Sequence, residues 1–182
     1  MNILNLFKKK DPYYEHCKRI LNASYIAAKE TERHYNKEGL ILGHEKFWLT
    51  YFEFQNLYLQ ITDRILFQAV SEDARQMIMA LLVEKVISAS ITSVFKESSG
   101  VLIAKMYDEC YSNYKKSCLG YGRCKNIFPD DRENLKDTLV WEFCKTVCLN
   151  IGKDKEPVYM MLVSSLVKIN DMGFDDFRDS FK

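Results

Sequence analysis

Proline and glycine are scarce in this chain, with 3 and 7 copies in 182 residues. So few turn-formers argue against a hairpin-rich β fold, whose tight turns depend on glycine. Charge imbalance is missing as well. A net charge of +1 supplies no global field to recruit nucleic acid or an anionic membrane. No stretch reaches the roughly 18 uninterrupted apolar residues of a membrane span, which argues against stable membrane insertion. Histidine numbers only 3, and none completes the Glu-x-x-His pairs that di-iron carboxylate bundles repeat on two helices. Cys-x-x-Cys knuckles are absent too, although structural zinc sites usually draw on them. No Walker loop, dinucleotide fingerprint or nucleophile elbow occurs.

What is present is apolar and aromatic. Hydrophobic residues make up 47% of the chain and charged residues 28%, the balance of an ordinary soluble globular domain. Tyrosine and phenylalanine stand at 11 each. At this length one domain over residues 1–182 can bury a sizeable core of its own.

The stretch His44 to Val70 organises the rest. It reads HEKFWLTYFEFQNLYLQITDRILFQAV, with no helix breaker. On a helical wheel Trp48, Tyr51, Phe52, Phe54, Tyr58, Leu59, Ile65 and Leu66 share one half. Thr50, Glu53, Asn56, Gln60, Asp63, Arg64 and Gln68 gather on the other, the polar half. An apolar face of that length needs several partner helices.

The remaining segments supply them. Asp11-Pro12 opens a first helix that carries Cys17, Leu21, Ser24, Ala28, Thr31 and Tyr35 inward to Gly39. Ser71-Glu-Asp73 caps a third helix reaching about Lys96, with Met77, Ile78, Leu81, Leu82, Val86 and Ala89 facing in. A fourth runs from Val101 to about Ser117, with Val101, Ile103, Met106, Cys110 and Tyr114 inward. Residues 118–131 form a long irregular connection. A capping box at Asp130 to Glu133 opens a fifth helix ending at Gly152, and Pro157 starts a sixth that stops at Gly173. The expected fold is an all-α single-domain bundle of about six helices. Residues 1–10 form a flexible basic N-terminus, and residues 174–182 a short aromatic C-terminal tail.

Four sets of residues are candidates for function. Gln55 and Thr62 are polar groups within the apolar half of the central helix, where an unpaired one costs on the order of 1–3 kcal/mol. Either they bond across the bundle, or with Trp48, Tyr51 and Tyr58 they line a site for a small apolar ligand or cofactor. Lys115, Lys116, Arg123 and Lys125 cluster around Gly120 and Gly122, a candidate anion patch set against a plain solvated loop. Phe174, Phe177 and Phe181, at i, i+3 and i+7, dock on the bundle or on a neighbour and are the interface candidates. Cys144 and Cys148, one turn apart, are a weak metal pair, and small apolar core filler is the competing reading. Cys124, flanked by Arg123 and Lys125, is the better redox thiol. His16, His34 and His44 read as surface side chains, and Asp63-Arg64 as an exposed pair.

The N-terminal MNILNLFKKK places its charges after its apolar residues, the reverse of a secretory signal. Six cysteines in a chain with its own core then read as free thiols in a reducing cytoplasm. Excess aromatics and methionines without a coherent catalytic set favour a non-catalytic, self-associating protein–protein interaction module. No cofactor is called for. The alternatives are the ligand-binding bundle near Gln55 and Thr62 and, behind it, a thiol- or metal-dependent enzyme.

Overall fold

The computed structural model describes residues 12–95, 99–128, 136–153, 162 and 172–181. Among them it holds six helices: α1 (Pro12–Lys37), α2 (His44–Phe67), α3 (Glu72–Val94), α4 (Gly100–Tyr121), α5 (Leu139–Ile151) and α6 (Phe174–Asp179). The fold is an all-α helical bundle, as the hydrophobic periodicity implies. The expectations for residues 1–11, for Lys96, for the capping box at Asp130 to Glu133 and for the helix from Pro157 lie outside the described residues. Only Leu162 of that helix is described, helical and buried.

α2 packs against each of the other five helices. Its polar half is therefore covered as well: Thr50, Glu53, Asn56 and Gln60 are all buried. The composition of the stretch explains this. Between Leu49 and Thr62 the only charged side chain is Glu53, and a helix this poor in charge suits burial on several sides. Basic side chains sit near its two ends, where each meets the end of another helix. The Lys46 ammonium donates to the Ile151 carbonyl at 2.9 Å, at the C-terminus of α5. Arg64 donates to the Tyr121 and Cys124 carbonyls, both at 2.8 Å, at the C-terminus of α4. Cations there satisfy orphan carbonyls and the negative end of the dipole. Asp63-Arg64 is thus no exposed pair, because Asp63 takes both its bonds from Arg75 at 2.7 Å.

The helix ends follow local chemistry. Ser71, Ser99 and Thr138 each accept from the backbone N–H three residues on, capping α3, α4 and α5. α5 accordingly starts at Leu139. α4 continues past Ser117, through Gly120, to Tyr121. α1 ends with Gly39 at φ +72 and a Leu40 N–H to Tyr35 carbonyl bond of 2.8 Å, a Schellman closure that a residue with a Cβ would strain.

α1 buries Cys17, Ile20, Ser24, Ala27, Ala28 and Thr31, mostly small side chains, against the bundle. Two inward assignments on α3 fail: Met77 and Leu81 are exposed while Ile78 and Leu82 are buried. On α4 the exposed Val101 likewise departs from the expected inward row. α3 is long and apolar enough to cross a membrane by length and composition, though half of that window is buried in the bundle.

Candidate functional site

A cavity of about 560 Å³ lies between α2, α3, α4 and α5. Its apolar wall comes from Trp48, Phe52, Leu59, Ile87, Phe95 and Met106. The exposed His44, Glu45 and Asn113 mark the rim. Trp48 is held in place by its indole N–H, which donates to His44 Nε2 at 3.0 Å.

The polar part of the lining centres on Glu53. This side chain is only 5% exposed, yet it forms no salt bridge with a described residue. Neutral donors surround it instead. The Tyr121 hydroxyl donates to Oε1, Asn56 Nδ2 donates to Oε2 at 3.2 Å, and the Ser117 hydroxyl approaches Oε1 at 3.4 Å. Asn56 also donates to Ser117 Oγ at 3.2 Å. Burial raises the carboxyl pKa above its ordinary value, while the bonds from Tyr121, Asn56 and Ser117 pull it back. The same burial, together with Glu53, drives the Tyr121 phenol strongly upward.

The candidates drawn from the sequence separate. Trp48 and Gln55 line the cavity, whereas Tyr51, Tyr58 and Thr62 do not. Gln55 also makes the cross-bundle bond weighed above, donating to Ser90 Oγ at 2.7 Å on α3. The Tyr51 hydroxyl joins that pair. Thr62 turns to α1, where its hydroxyl meets His16 Nε2 at 2.9 Å. Tyr58 is buried with its hydroxyl unpartnered among the described residues.

The basic residues do not converge on one anion site. Lys115 lies over the Tyr111 ring at 4.5 Å, Lys116 lines the cavity, and Lys125 lines a separate groove with Asp63, Arg64 and Arg75. Arg123 is exposed and lines neither. The three phenylalanines fold onto their own chain. Phe177 stacks on His16, Phe174 meets the same ring edge-on, and Phe181 packs against Tyr13.

Cys144 and Cys148 are buried core thiols, each raised in pKa by burial. Among the described residues no group of three or more His, Cys, Asp or Glu is arranged to hold a metal ion. The reactive-thiol reading of Cys124 is corrected. Its sulfur is buried, and burial first, then Glu142, raises its pKa despite Arg64 and Lys145 nearby.

Sequence reasoning missed Glu53, Asn56, Ser117 and Tyr121. The usable signal was the near-absence of charge along α2, which marks its polar residues as buried. The chain matches no protein-family model, no curated protein and no solved structure.

Proposed function

We propose that this protein binds a small, largely apolar molecule in the cavity between α2, α3, α4 and α5. The cavity itself carries the reading. Its volume of about 560 Å³ falls within the range of sites that enclose small ligands, and such sites pair apolar walls with a few placed polar groups. Trp48, Phe52 and Met106 supply the wall, and Glu53, Gln55 and Asn56 the polar groups.

The test uses N-phenyl-1-naphthylamine, a neutral dye that brightens in apolar surroundings. Saturable brightening by the wild-type protein is expected. Leu49→Trp, which fills the cavity from its wall, should weaken the dye by about tenfold, or about 1.4 kcal/mol. Wild-type protein that leaves the dye dim would overturn the proposal.

Self-association is the second reading. Its support is the outward-facing Met77, 66% exposed, with Leu81 one turn along the same helix. Met77→Lys with Leu81→Lys should lower the mass seen by analytical ultracentrifugation. A wild-type protein already monomeric at high concentration would rule it out.

A further inference from the structure

We propose that the molecule held in the cavity is an organic cation, an apolar body bearing a protonated amine whose ammonium pairs with Glu53. The inference rests on the ligand-binding reading above and adds the ligand's charge.

Two observations converge on it. The charged lining leans negative, with Glu45, Glu53 and Glu109 beside Lys116, and among the described residues only Glu109 has a further ammonium close by, that of Lys105 at 3.8 Å. α2 contributes two of those carboxyls and His44, α4 contributes Glu109 and Lys116, and the lining residues from α3 and α5 carry no charge. The second observation is Glu53 itself. It is a buried carboxyl on the cavity wall whose partners among the described residues, Tyr121, Asn56 and Ser117, are all neutral donors. A buried carboxylate without a cation is costly, and an incoming ammonium relieves that cost. The aromatic wall suits the same ligand, because the faces of Trp48 and Phe52 attract cations as well as apolar groups.

Proton balance follows. Burial raises the Glu53 carboxyl above its ordinary pKa, so in the empty protein it keeps its proton to higher pH than a free carboxyl does. An ammonium ligand that pairs with it displaces that proton to the buffer, so the complex holds R–NH₃⁺ against a carboxylate. Amine affinity then increases with pH until Glu53 is ionised in the free protein.

The experiment is calorimetric titration of the whole chain with 4-phenylbutylamine, 4-phenylbutanol and 4-phenylbutyrate. These probes share one apolar body and differ in charge. The amine is expected to bind about tenfold more tightly than the alcohol at neutral pH, the usual scale of one charge-assisted bond. Glu53→Gln should abolish that preference, bringing the amine and alcohol affinities together. The ratio of amine to alcohol affinity in wild-type protein should rise with pH, which keeps the test decisive if the variant does not fold. Equal binding of amine and alcohol, a flat ratio, or a preference that survives Glu53→Gln overturns the inference while the cavity reading stands. Tighter binding of the butyrate also overturns it and assigns the polar anchor to Lys116. Failure of all three probes removes the inference and the cavity reading together.

Discussion

The imidazole of His16 lies flat on the phenyl ring of Phe177, with ring centroids 3.9 Å apart and planes 10° from parallel. This contact ties the first helix to the last. The Thr62 hydroxyl donates its proton to the Tyr58 carbonyl at 2.9 Å, so toward His16 it can only accept. Nε2 of His16 therefore carries the hydrogen, and Nδ1 is left as a buried acceptor without a partner among the described residues.

That tautomer sets a pH dependence. Burial first, and the Arg19 charge second, lower the His16 pKa from 6.5 to about 3. The unfolded chain takes up a proton that the folded one refuses, so stability is complete above pH 6.5 and falls as pH drops toward 3. The slope is at most about 1.4 kcal/mol per pH unit. His16→Gln keeps a donor near Thr62 and does not titrate. Urea unfolding at pH 7, 6, 5 and 4 should show the wild type losing stability relative to this variant at each step. Parallel curves would contradict the assignment.

The same contact makes the C-terminal segment part of the fold. Phe177 is 5% exposed, and truncating a buried phenylalanine costs about 3–5 kcal/mol. Phe177→Ala should lower the urea midpoint accordingly, and deletion of residues 174–182 should lower it at least as far. Gly173 positions this segment with φ +61, and Arg19 donates to its carbonyl at 3.3 Å and to Asp176 at 3.2 Å. A Cβ at Gly173 would run into the Arg19 guanidinium. Gly173→Ala should therefore cost about 1 kcal/mol in backbone strain, with the flexible Arg19 moving aside. A midpoint unchanged by both Phe177→Ala and the deletion would show that the tail does not hold the bundle.

How much of this was legible beforehand depends on which force decided each point. Helix positions were readable because periodicity and caps are local: Ser71, Gly39 and Gly152 mark real boundaries. The site was not readable, because it required knowing which polar residues are buried. A helical wheel separates polar from apolar residues, and it assigns Glu53, Asn56 and Gln60 to water by default. They are buried because α4 packs there with complementary groups, such as Cys118, whose sulfur receives the Gln60 amide at 3.0 Å. Gly120 and Gly122 argued for a loop from Cys118 onward, which hid Tyr121 as a helical partner of Glu53. His16 was misplaced for a related reason. Its burial depends on Phe177, a contact across nearly the whole sequence that no local pattern encodes.

Glu53 carries a stability signature of the opposite sign to His16. Its pKa is raised above 4.5 by burial, so the folded state holds a proton that the unfolded state releases. Stability therefore falls as pH rises from about 4.5 through the raised value, and is constant above it. Glu53→Gln removes that slope. Its carbonyl can accept from Tyr121 while Asn56 turns its amide to receive the new N–H. The variant should gain on the wild type between pH 4.5 and neutrality in urea titrations. A constant difference would mean that the carboxyl titrates alike in both states.

Cys124 offers a test of burial against sequence neighbours. Arg123 and Lys125 flank it in the chain and would favour a thiolate, yet the sulfur is turned inward, with its S–H toward the Gly120 carbonyl at 3.8 Å. Burial outweighs the flanking charge, because desolvation of a thiolate acts on the sulfur itself while Arg123 and Lys125 are exposed and screened by solvent. Ellman's reagent at neutral pH should therefore modify Cys124 more slowly than a model peptide thiol, and addition of urea should remove the difference. Measured by tryptic mass spectrometry of partly labelled protein, Cys144 and Cys148, at 1% exposure each, should be slower still. Rapid labelling of Cys124 in the folded protein would mean that its loop opens readily, and would restore the reactive-thiol reading.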